Sequence, residues 1–113
     1  MDELARLAAM ARDRELAQVE QIVRRMGELG SDITRLRSAR DTRQAELALD
    51  PARLSGAEVA WEAWSEEALR RNQARMAALR ADHEVALAKA REAFGRADVA
   101  ERLAKEAKRD RRS

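Results

Sequence analysis

The chain has no cysteine, a single proline, four glycines and three aromatic residues in 113 positions. Without cysteine it has neither a disulfide framework nor a thiolate metal site. With Pro51 as the only proline, long helices face an obligatory interruption at one place. So few aromatics beside 39% charged residues exclude a deep globular core and suit long helices that each bury one stripe. No uninterrupted apolar run approaches the length that crosses a bilayer. The start, Met1-Asp2-Glu3-Leu4, lacks the basic opening and apolar stretch of a secretory signal, so a cytosolic protein is expected. A net charge of +2 is too balanced to force a nucleic-acid or membrane partner.

What the chain does have is heptads. Val19, Ile22, Met26, Leu29, Ile33 and Leu36 follow the alternating three- and four-residue spacing of a coiled-coil seam, and Leu69, Asn72, Met76, Leu79, His83 and Ala86 repeat it. Folding the chain about Pro51 sets Leu36 against Leu69, Ile33 against Asn72, Leu29 against Met76, Met26 against Leu79, Ile22 against His83 and Val19 against Ala86. In every pair the residue numbers sum to 105. The expected fold is all-α, an antiparallel two-helix coiled-coil hairpin made by the whole chain, 1–113.

Its first helix is expected over about 2–49, opened by Asp2 and Glu3 and ended by Asp50-Pro51, because the residue before proline avoids helical geometry. Gly27 and Gly30 are its weak point, and Ser31 could cap a new helix there. The heptad passes through without a phase change, which favours a continuous helix. After a turn at 50–55 the second helix is expected over about 56–109. Ser55 with Glu58 fits a capping box and Leu54 with Val59 the accompanying hydrophobic staple.

Seam chemistry changes along the pair. Beyond His83 the second helix supplies only Ala86, Ala90, Ala93, Ala97, Ala100, Ala104 and Ala107, with Leu87 and Phe94 flanking. The seam of helix 1 there contains Arg12 and Glu15. Small residues allow close approach but bury little area each, so this half is expected to be thin. It is completed either by another protein or by a close-packed interface with Leu4, Leu7, Ala8 and Ala11. By the register Ala104 faces Met1, and the residues beyond, Lys105, Lys108, Arg109, Arg111 and Arg112, form a basic overhang. Near the turn, Arg35, Arg37, Arg40 and Arg43 approach Glu58, Glu62, Glu66 and Glu67, with Arg43 opposite Glu62. These charges favour the antiparallel register over a parallel homodimer.

Trp61 and Trp64 are the most informative side chains. With Ala57 and Ala68 they form a second apolar stripe beside the seam, facing the polar Gln44, Asp41 and Arg37. They are either a partner contact, since tryptophan is enriched among interface hot spots, or they lie under Leu47, Leu49 and Leu54 as a plug at the turn. His83, the one histidine, is expected to be a tolerated polar seam residue, since no second histidine or close acidic cluster joins it. Glu66 and Glu67 point to different helix faces, and no cleft is expected to tune either for acid–base catalysis. No glycine-rich phosphate loop, nucleophile elbow or zinc spacing occurs. No enzyme, cofactor, metal or small-molecule substrate is expected.

The order of parts resembles the FliJ/YscO family, the small antiparallel coiled-coil stalk proteins of flagellar and injectisome type III secretion. A charged first helix begins Leu4-x-x-Leu7 and passes through Arg12-Asp13-Arg14-Glu15-Leu16. After a short turn comes an aromatic-bearing start to helix 2, Trp61-Glu62-Ala63-Trp64-Ser65-Glu66-Glu67-Ala68-Leu69. A basic, alanine-rich end follows, with Ala90-Arg91-Glu92-Ala93-Phe94-Gly95-Arg96 and Ala100-Glu101-Arg102-Leu103-Ala104. The resemblance covers nearly the whole chain. It implies a monomeric, non-enzymatic stalk whose two chain ends enter the pore of a hexameric export ATPase, and a patch that contacts the cytoplasmic domain of the membrane export gate. It places the gate contact at Trp64 and Ala68, beside Trp61. The facing helix 1 positions are charged or small where family members carry aliphatic and aromatic residues. Arg102, Lys105, Lys108 and Arg109 are the basic candidates for contact with the ATPase.

Two other classes remain. A prefoldin-like holdase or structural dimer would use the same seam between chains. A nucleic-acid-associated coiled coil would need a one-sided basic face, yet Asp41, Glu101, Glu106 and Asp110 interrupt the arginine clusters and no aromatic is interleaved for base stacking. No DNA partner is expected.

Overall fold

A computed structural model of the chain describes residues 2–112. Helix α1 spans Asp2–Leu49, a 3-10 turn spans Pro51–Arg53, and helix α2 spans Gly56–Arg112. The two helices pack against each other as a hairpin, and no strand occurs among the described residues.

The break follows from local chemistry. Asp50 leaves helical geometry at φ −143° ahead of Pro51, and Leu54 is extended. Ser55 then opens α2: its hydroxyl oxygen accepts from the Glu58 amide at 3.3 Å and its carbonyl accepts from the Val59 amide at 3.0 Å. Only this half of the expected capping box forms. The Glu58 carboxylate lies 3.3 Å from the Arg43 guanidinium instead. At its far end α2 continues three residues past the expected limit, through a last turn carrying Arg109, Arg111 and Arg112, cations that complement the helix dipole.

The chain divides into two compact units, one made of the chain up to Arg24 and from Ala81 on, the other of Arg25–Arg80. Both keep the expected register. In the first, Val19 and Ala86 share one buried cluster with Ala90, and Ile22 and Leu87 pack against it. The core there is Val19 and six alanines of α2, Ala86, Ala90, Ala93, Ala97, Ala100 and Ala104, only 4–9% exposed. Arg12, Glu15 and His83 hold half-buried seam positions. The pairing of Ala104 with Met1 lies outside the described residues. In the second unit Ile33 and Ser65 are buried, while Met26, Leu29, Leu36, Leu69, Asn72, Met76 and Leu79 are half-buried.

Ion pairs near the turn depart from expectation by one helical turn. Arg43 does not meet Glu62, which is taken by Arg40 at 2.7 Å. The cause is Ser65, the register partner of Arg40. Its small side chain leaves room for the guanidinium to pass over it, donating to its hydroxyl at 2.7 Å and to the Glu62 carbonyl at 3.2 Å. Arg43 is left to Glu58 and to the Trp61 ring. Glu66 and Glu67 leave α2 on adjacent faces, and Arg70 bridges them, at 3.7 and 3.2 Å from its two terminal nitrogens.

Helix α1 runs unbroken through Gly27 and Gly30. A Cβ added at Gly27 meets nothing within 4 Å, and one at Gly30 sits 3.7 Å from the Met76 methyl, an ordinary contact. Neither glycine has positive φ, so each only adds unfolded-state freedom. Gly27→Ala and Gly30→Ala are each expected to stabilise the chain by about 0.5–1 kcal/mol. Urea unfolding followed by circular dichroism checks this, and a loss of stability at Gly27 would mean the helix is not continuous there.

Candidate functional site

The tryptophan stripe lies in the Arg25–Arg80 unit. Seam residues Glu62, Ser65 and Leu69 put Trp61, Trp64 and Ala68 on the flank of α2, and the structure separates the two indoles. Trp61 is half-buried, with the Arg43 guanidinium stacked over its ring at 3.8 Å from the centroid, a cation–π contact. Trp64 is 56% exposed. It lines a shallow groove with Ala68, Leu36, Ala39 and Asn72, rimmed by Asp32 and Arg35.

The three leucines that could have plugged the turn lie elsewhere. Leu49 is 88% exposed. Leu47 and Leu54 line a separate groove with Val59 and Ala63 that neither tryptophan enters. In place of the polar neighbours foreseen for the stripe, Gln44, Asp41 and Arg37, one cation, Arg43, lies over one ring, while the other ring stays open.

The basic candidates sit near the end of α2 and are all exposed. Arg102 pairs with Asp98 at 2.9 Å and Lys105 with Glu101 at 3.3 Å, each one turn back along the same helix. Such exposed pairs hold little energy, about 0.3–0.5 kcal/mol, so a partner can exchange them. Lys108 and Arg109 follow on the last turns.

A second surface was not foreseen in this form. Leu4 and Leu7 do not close an alanine interface; they are 51% and 54% exposed. The seam of α1 runs through Ala5, Ala8 and Arg12, so Leu4 and Leu7 project to one flank while Ala8 and Ala11 stay half-buried. They meet Val99 and Leu103 of α2 across an open groove of about 770 Å³ with Ala8 and Ala100 at its floor and Gly95 on its wall. The signal was present in the sequence: Leu4 and Leu7, like Val99 and Leu103, share one helix flank at three- and four-residue spacing, off the alanine phase. On the opposite flank the Arg12 guanidinium lies 5.7 Å from the Phe94 centroid.

His83 is half-buried at the seam position opposite Ile22. Among the described residues no group of three or more His, Asp or Glu side chains is placed to hold a metal ion, and no helix is long and apolar enough to cross a membrane. No family model matches the chain, and neither the characterised proteins nor the solved structures compared with it yield a match.

Proposed function

We propose that the chain is a non-enzymatic cytoplasmic stalk of a flagellar-type export apparatus, linking a hexameric export ATPase to the cytoplasmic domain of the export gate. The observation that carries the reading is the open indole of Trp64 beside Ala68, on a helix whose seam is complete without it. A tryptophan left 56% exposed leaves much of its apolar surface unused in its own unit, whereas at an interface that surface supplies a rigid anchor. The resemblance in the order of parts assigns that anchor to the gate. It assigns the chain-end unit, thin because its seam is alanine and basic near the end of α2, to the ATPase pore.

The test is a pulldown from the source cells with the intact chain and with Trp64→Ala. The intact chain is expected to recover a hexameric ATPase and a membrane-gate component. Loss of the indole is expected to weaken the gate contact by about 2–4 kcal/mol, roughly 30- to 1000-fold, leaving the ATPase bound. Recovery of neither partner by the intact chain sinks the reading.

A further inference from the structure

We infer that the surface covering Trp64 is acidic protein: beyond the pocket that takes the indole, it carries carboxylates that meet Arg71 and Arg75 of α2. The inference deepens the docking reading and rests on its one premise, that Trp64 is an anchor.

The heptad puts these residues on one strip. Arg71 and Arg75 lie seven residues beyond Trp64 and Ala68, so they hold the same heptad positions two turns, about 10 Å, further along α2. Seven residues back toward the turn, those positions hold Ala57 and Trp61. On α2 the strip thus runs from Ala57 to Arg75 without an acid.

Other arginines beside the groove are engaged. Arg43 is stacked on Trp61, Arg35 holds Asp32 on the groove's rim, and Arg70 bridges Glu66 and Glu67. Arg71 and Arg75 are exposed and hold no ion pair or hydrogen bond among the described residues. One turn apart on the same helix, they repel each other. On α1 the corresponding positions carry Arg25 and Arg35 against Glu28 and Asp32, so that side is balanced. The excess positive charge of the flank is Arg71 and Arg75, next along α2 from the open indole.

An acidic protein surface suits this arrangement better than a phosphate polymer. The groove beside Trp64 has Leu36, Ala39 and Ala68 along it, apolar side chains that a folded partner covers at the centre of an interface. Asp32 on its rim would repel a phosphate backbone laid through it. A single-stranded nucleic acid is held by a continuous cationic track with successive stacking aromatics, and this strip offers two free cations and one open ring. Two guanidinium groups outside an apolar contact instead match carboxylates in fork-to-fork pairs at an interface rim.

The test extends the pulldown to a chain with Arg71→Glu and Arg75→Glu and to one with Arg71→Lys and Arg75→Lys. Both positions are exposed, so the helical circular dichroism is expected to be unchanged. The double glutamate chain is expected to recover the Trp64-dependent component at least about tenfold more weakly, and the double lysine chain to keep it, because the charge survives. The three lysines, Lys89, Lys105 and Lys108, all belong to the other unit, so the single variant Arg75→Lys puts the only side-chain amine in this one. A carbodiimide, which joins an amine to a carboxylate with loss of water, is then expected to link position 75 to an aspartate or glutamate of the captured component, located by mass spectrometry of the linked peptides. Undiminished capture by the double glutamate chain, or capture without a link from position 75, overturns the proposal and leaves Trp64 an anchor. Capture abolished by nuclease overturns it in favour of nucleic acid. A linked, Trp64-dependent component that is not part of a membrane gate supports the proposal and sinks only the gate reading, whereas absence of any Trp64-dependent component sinks both.

Discussion

Replacing Arg40 by alanine is expected to lower the unfolding free energy by about 2 kcal/mol. Arg40 occupies a seam position, where a heptad ordinarily places an aliphatic side chain, and its own side chain is only 15% exposed. It stays there because every group it meets is an acceptor: the Ser65 hydroxyl at 2.7 Å, the Glu62 carbonyl at 3.2 Å and the Glu62 carboxylate at 2.7 Å. Ser65 is 0% exposed, and its hydroxyl in turn donates to the Glu62 carbonyl at 2.9 Å. Among the described residues no buried side-chain polar atom lacks a partner.

Truncation at Arg40 removes the donor that saturates this layer and opens a gap beneath it, each costing about 1 kcal/mol. The carboxylate of Glu62 is partly exposed, so its lost ion pair adds little. Arg40→Leu separates the two contributions, since it refills the gap without restoring the donor. It is expected to cost less than half as much as alanine, and it removes the layer that rejects a shifted register. Ser65→Ala combined with Arg40→Ala is expected to show a coupling of about 1 kcal/mol. Urea denaturation followed by circular dichroism measures the parent, Arg40→Ala, Arg40→Leu, Ser65→Ala and the double variant. An Arg40→Ala midpoint equal to that of the parent would mean the polar layer contributes no stability.

Most of this fold was legible in the residues, because two long heptad runs and one proline leave few ways to fold. Pro51 and Ser55 mark the break by local rules that need no tertiary information, and the heptad number alone predicts that Val19 meets Ala86 and Arg40 meets Ser65. The phase also carried the polar residues Arg12, Glu15 and His83 to seam positions that an apolar pattern would not select. What the phase does not specify is where a long side chain ends. An arginine reaches one turn either way, and which glutamate each one takes depends on the space left by the residue facing Arg40, here Ser65. The two tryptophans differ for the same reason: both flank the seam, but only Trp61 lies under an arginine. One of the two readings of the thin end put Leu4 and Leu7 into the alanine interface because they adjoin it, but the three- and four-residue spacing passes them by and both are exposed. The partner of Trp64 is written on another molecule's surface, and a resemblance in the order of parts is what names it.

Ala97→Leu is expected to destabilise the chain by about 2–3 kcal/mol, although leucine is the commoner seam residue and nearly as good a helix former as alanine. Ala97 is 5% exposed and its register partner is Ala8. Where both sides of a seam are alanine the helix axes lie at the short end of the usual 8–10 Å separation, and no space remains for three further carbons. The helices must spread locally, loosening Ala93 and Ala100 in the adjacent layers, or the leucine must leave the seam and drag α2 out of phase. Either route loses close contacts that supply most of what a seam of small residues has to offer, since each alanine buries little apolar area and depends on proximity for its dispersion energy. The Arg25–Arg80 unit gives the contrast, because its seam already holds Leu36, Leu69, Met76 and Leu79, all half-buried. Leu69→Ala there is expected to cost about 2 kcal/mol by the opposite mechanism, a cavity rather than a clash. Paired urea titrations of Ala97→Leu and Leu69→Ala distinguish the two. If Ala97→Leu proved neutral or stabilising, the chain-end helices would have to stand apart in solution.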